Sequence, residues 1–152
     1  MMKNLLLRKR QNQYKTTVEK EGGFTLIELL LVITIIGILS AIAVPLFLSE
    51  RSKSIHAEAK TNLESIRLLE EQYFAENGNY GPDGTYEFKV GSTTIQNLLP
   101  GFQPGNVDSL NFDYTLEITN NGSQFTATAV GRSGSVVDGT TFTIDQNNNK
   151  NF

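Results

Sequence analysis

The chain's longest pattern is an apolar run over residues 24–48, broken by a single charge at Glu28. At about 1.5 Å of rise per helical residue, this run spans a hydrocarbon core of roughly 30 Å. Beyond Pro45 the pattern turns amphipathic: Ile55, Ala59, Leu63, Ile66, Leu69 and Tyr73 recur three and four apart, which predicts a continuing helix with one apolar face. Lys60 with Glu64, and Glu64 or Glu70 with Arg67, are spaced to pair along the polar face, where His56 reads as a solvated residue. Asn77-Gly78-Asn79 is a stop signal, so one helix is predicted over 24–76. After Tyr80 the chain becomes rich in Gly, Asn, Thr and Ser, with β-type runs at 86–90, 112–118, 124–130 and 141–145. Asn121-Gly122 supplies a hairpin signal between the second and third runs. These runs predict an antiparallel sheet whose apolar face, Phe112, Tyr114, Leu116 and Ile118 or their alternates, is covered by the Ile55-to-Tyr73 helix face. Pro82, Pro100 and Pro104 place an irregular connector over 78–111. The fold class expected is α+β, a long amino-terminal α-helix spine packed on a small antiparallel β-sheet.

Charge gives this pattern a direction. Residues 1–23 hold six of the 13 basic and two of the 16 acidic residues, a net of +4, and the remainder carries −7, in keeping with the total of −3. Basic residues flanking a first membrane helix favour the cytoplasm, so the roughly 100-residue head is expected to be exported. Glu28 is the anomaly, because a carboxylate within a spanning segment costs on the order of 3 kcal/mol and persists where a partner or function retains it. Snorkelling to the headgroups is the plainer account of it. Ala41-Ile42-Ala43 offers a small-x-small pattern of the kind signal peptidase prefers, but an ordinary secretory signal has a shorter apolar core and no internal charge. A permanent single-span anchor explains neither Glu28 nor Gly23.

Catalysis has little to work with. There is no Cys, no phosphate-cradling Gly-Lys motif, and His56 is the sole histidine, so no enzyme is expected. The acidic head argues against nucleic acid as a partner.

Gly23-Phe24-Thr25-Leu26-Ile27-Glu28-Leu29-Leu30, followed by Gly37-Ile38-Leu39-Ser40-Ala41-Ile42-Ala43-Val44-Pro45, resembles the amino-terminal signature of type IV pilins and type II secretion pseudopilins. The resemblance implies a leader over 1–23, a hydrophobic membrane and assembly helix over 24–48, its amphipathic continuation over 49–77, and a connector with sheet head over 78–152. It implies that a prepilin peptidase cuts between Gly23 and Phe24 and methylates the new amine on Phe24. Glu28 would then pair with the Phe24 amine of a neighbouring subunit and set axial register, since a charge left unpaired in a packed core is costly. Gly37 with Ala41 gives small-xxx-small spacing for close helix approach, and Gly37 and Pro45 bound the stretch able to kink or unwind on assembly.

The function expected is a structural subunit held in the bacterial inner membrane, then polymerised by inner-membrane assembly machinery into a homo-oligomeric, extracellular type IV pilus for adhesion or motility. A type II secretion major pseudopilin, building a periplasmic pseudopilus, is the nearest alternative. A membrane-tethered binding or adhesive domain is an alternative of another class. Pilins often close the carboxy-terminal loop with a disulfide, a staple closed to a chain without Cys. The pseudopilin resemblance suggests calcium near the carboxy terminus instead. Asp145-Gln146-Asn147-Asn148-Asn149 begins like an EF-hand loop but has Lys150 at the glycine position, which leaves Asp138 and Asp145 as candidates for a nonstandard site. The plainer expectation is a polar turn and no cofactor.

Overall fold

The computed structural model describes residues 22–152; the rest of the expected leader and its basic cluster lie outside the described residues. Helix α1 runs Leu26–Asn77 and contains Pro45. It stops where Gly78 takes a φ of +76° and returns its N–H to the Phe74 carbonyl at 2.7 Å, a left-handed cap that few residues other than glycine adopt without strain. The described chain divides into two units, one ending at Ser40 and the other Ala41–Phe152. In the first, every described residue is exposed, apolar side chains included.

In the second unit, Ile55, Ala59, Leu63 and Ile66 of α1 are buried, which is the face the spacing predicts, while Leu69 and Tyr73 pack at its margin. They meet four antiparallel strands in the order β1 (Gly84–Phe88), β2 (Phe112–Thr119), β3 (Gln124–Gly131) and β4 (Thr141–Asp145). The strict alternation of β2 sends Phe112, Tyr114, Leu116 and Ile118 inward. Phe125, Ala127 and Ala129 of β3, with Phe142 and Ile144 of β4, complete that face. A short helix α2 (Ile95–Leu98) in the connector brings Phe102 edge-on to both Phe88 and Tyr114, with ring centroids 5.6 Å apart in each pair.

The structure corrects four local expectations. The first strand lies two residues earlier than its alternation suggests, because Gly91 turns the chain at φ +84° and Lys89 pairs with Ser92 instead of extending the β2 ladder. The β2–β3 connection is a four-residue loop with positive φ at Asn120, Asn121 and Gly122, longer than the two-residue turn that Asn-Gly suggests. His56 is half-buried, edge-on to Phe142 at 5.4 Å, with no partner for its Nε2. Glu64 pairs with Lys150 at 2.5 Å and Arg67 at 3.4 Å, whereas Glu70 is fully buried and leaves the polar face altogether.

Long-range ties order the connector. The Asp83 carboxylate accepts the backbone N–H groups of Asn121 at 3.0 Å and Gly122 at 2.8 Å, and the Tyr80 N–H donates to the Gly122 carbonyl at 2.8 Å. The packing is close enough that a Cβ on Gly122 would lie 2.5 Å from the Gly81 carbonyl oxygen. At the outer margin of β4, Asn151 accepts from the Thr143 N–H at 2.9 Å and donates to the Thr141 carbonyl at 3.1 Å. At the outer margin of β1, Thr94 Oγ1 accepts the Glu87 N–H at 2.8 Å.

Candidate functional site

The site the sequence points to begins at Gly22 and Gly23, which are exposed and belong to no helix or strand. Neither has a positive φ, and a Cβ on either would meet nothing within 4 Å. Among the described residues nothing crowds either position.

Thr25 and Glu28 then form a reciprocal pair at the start of α1. Glu28 Oε2 accepts from the Thr25 N–H at 2.8 Å and the Thr25 hydroxyl at 2.8 Å, while Thr25 Oγ1 accepts the Glu28 N–H at 3.3 Å. This is a capping box: a Thr at the N-cap and a Glu three residues on satisfy donors that the first helical turn leaves open. The Thr-x-x-Glu spacing is its signal in the sequence, one that the lone charge in an apolar segment overshadows. The carboxylate thus has local partners in the uncut chain, and it also sits at the positive end of the helix dipole. Phe24 is 89% exposed immediately before it.

Along α1 the apolar side chains stand in the open: Leu26, Ile27, Leu29, Leu30 and their successors to Leu48 are exposed. The helix is long and apolar enough to cross a membrane by length and composition. Gly37 lies in it with nothing within 4 Å of an added Cβ. Glycine costs a helix about 1 kcal/mol relative to alanine, and no contact among the described residues offsets that cost. Pro45 lies within the assigned helix.

The two candidate calcium ligands occupy separate turns. Asp145 accepts from the N–H of Asn147 at 2.9 Å, the N–H of Asn149 at 2.8 Å and the Asn149 side-chain amide at 2.8 Å. Slight burial raises its carboxyl, but the hydrogen bonds from Asn149 and Asn147 outweigh this and hold it below its ordinary value. Asp138 accepts the Gly134 N–H at 2.9 Å. Each carboxylate closes its own turn, and the described residues contain no group of three or more His, Cys, Asp or Glu placed to hold a metal ion.

Residues 20–44 match the family described as the prokaryotic N-terminal methylation motif, which covers Gly23, Phe24, Glu28 and Gly37. The chain is 48% identical over 61 residues to the type IV major pilin protein PilA of Myxococcus xanthus, covering 40% of this chain and 28% of that one. It is 30% identical over 70 residues to the type II secretion system core protein G of Pectobacterium carotovorum, covering 46% and 45%. A fimbrial protein of Pseudomonas aeruginosa is 28% identical over 135 residues, covering 86% and 82%. The match thus spans less than half the length of the first two relatives. No solved structure matches the chain.

Proposed function

We propose, from the premise that the chain belongs to the type IV pilin and type II secretion pseudopilin family, that it is a structural pilin subunit, cut after Gly23 and polymerised through residues 24–48 into a surface pilus. The observation that carries this reading is the wholly exposed apolar stretch of α1 beginning at the matched motif. Such a surface is untenable in water at roughly 25 cal/mol per Å² of apolar area, so it requires a bilayer first and neighbouring helices afterwards. Small residues such as Gly37 favour the second environment, where backbones approach closely.

Cleavage in this reading is the work of a prepilin peptidase, which also methylates Phe24. The new α-amine arises next to Thr25, whose N–H and hydroxyl already hold Glu28. A neighbour's amine can then compete for a carboxylate oriented by its cap, which turns a local cap into a device for axial register. The subunit is stored in the inner membrane, drawn into the filament by membrane assembly machinery, and works without a cofactor, nucleic acid or catalytic step of its own. The pilus is preferred to the type II pseudopilus because the 48% identical relative is a type IV major pilin and the relative matched over 82% of its length is a fimbrial protein.

The test is electron microscopy and mass spectrometry of sheared surface filaments. The expected bulk component is residues 24–152 with a methylated Phe24 amine. Mature chain found only in the periplasm would select the pseudopilus. Replacing Gly23 with a bulky residue should leave the chain uncut in the membrane, and normal mature protein from that variant would overturn the cleavage claim.

A further inference from the structure

Glu70 is the one charged residue buried among the described residues, at 0% exposure. It falls on the stripe Ala59, Leu63, Ile66, Glu70, Tyr73, whose spacings of four, three, four and three direct every member at the sheet. Both of its carboxyl oxygens are buried and neither has a hydrogen-bond partner among the described residues. The basic residue one turn back on the same helix, Arg67, is engaged by Glu64 at 3.4 Å. The titratable groups that bear on Glu70 are Glu71 on its own helix, Tyr80 in the connector and Tyr86 in β1, none of which brings a positive charge. The tyrosine hydroxyls point away in bonding terms: Tyr80 donates to Glu71 Oε1 at 3.5 Å and Tyr86 to the Pro82 carbonyl at 3.0 Å.

A carboxylate cannot persist in such a place without a donor or cation, whereas a neutral carboxylic acid can. We propose that Glu70 is a built-in alkaline release: it is carried as a neutral acid in the seam between α1 and the head sheet, and its ionisation loosens that seam. Burial is the main cause that lifts its proton affinity, with the like charge of Glu71 second, from an ordinary 4.5 to about 8. Because the folded head holds this proton more tightly than the unfolded chain, the stability it contributes is whole below 4.5. That stability declines as pH rises and is lost as pH passes about 8. The first region to yield is where Tyr80 and Tyr86 pack beside α1.

The experiment uses the full chain in detergent micelles, unfolded by denaturant at a series of pH values and followed by the tyrosine near-ultraviolet circular dichroism of the head. The wild-type unfolding constant, relative to that of Glu70→Gln, should rise about tenfold per pH unit across the interval, the signature of one linked proton. Parallel profiles for the two proteins overturn the proposal. Glu70→Leu, which needs no hydrogen-bond partner, replaces the amide variant if that one does not fold, with the same expectation. Infrared difference spectra of the wild type provide a check independent of any variant. A protonated-carboxyl band that persists at neutral pH and disappears near pH 8 supports the proposal, and a Glu70 carboxyl already ionised at neutral pH refutes it.

Discussion

Single residues carry more than one duty in this chain, and Glu28 shows how to separate them. Its carboxylate caps α1 through Thr25, and it is also the proposed partner of a neighbour's amine. Thr25→Val keeps the side chain's shape and removes the hydroxyl half of the box, which should cost the start of the helix about 1 kcal/mol. If register depends on charge pairing, Thr25→Val filaments form at near wild-type yield while Glu28→Ala filaments do not, as read by the mass of sheared filament recovered. Equal loss in both variants would reduce Glu28 to a cap. Gly122→Ala makes a second test, since it forces a side chain into φ +72° and against the Gly81 carbonyl oxygen. It should destabilise the head by more than about 2 kcal/mol in denaturant titration.

At this scale the sequence was legible where a residue announces its chemistry and opaque where its neighbours decide it. Gly23, Phe24 and Glu28 stand out in the primary structure and fall within the matched motif, while their roles in cleavage and register belong to the proposal. Glu70 and His56 look solvated from sequence because they are polar, although Glu70 occupies a position on the apolar stripe that spacing alone reveals.

Among the elements, periodicity did well because burial enforces it. The helix face of Ile55, Ala59, Leu63 and Ile66 and the inward set of β2 follow directly from spacings of three or four and of two. The faces can be weighed against each other: Leu63→Ala should cost about 2–5 kcal/mol, whereas Leu68→Ala, at an exposed position, should fall within about 0.5 kcal/mol. Chemical denaturation of both variants checks the assignment. The connector was legible only as irregular. Its order comes from Asp83, Tyr80 and the distant β2–β3 loop, partners nearly forty residues apart that no local pattern can join. Strand β1 slipped for the same reason, since the turn at Gly91 rather than the alternation of side chains ends its ladder.

The whole molecule joins an exposed apolar segment and a head with a complete core of its own. A chain beginning near residue 50 retains Ile55 and everything that packs with it, and should fold as a monomer in water. The chain carrying residues 24–48 should require detergent, a membrane or a filament. Sedimentation of the two forms, with and without detergent, checks this directly. Net charge divided at Gly23 and the apolar run made this bipartite plan readable from the sequence, while the four-stranded order of the head needed the structure.

The margins of the head sheet bear on how such heads can crowd together. Asn151 bonds along β4 and Thr94 along β1, so each edge already has groups from its own chain on donors and acceptors that another strand would seek. An open edge is a template for strand-on-strand growth, the route to aggregates without defined size. With both rims partly occupied, strand addition between adjacent heads is disfavoured. Neighbours are left to recognise one another through side chains, so the surface of the head can vary in sequence without turning an ordered array into a cross-β deposit.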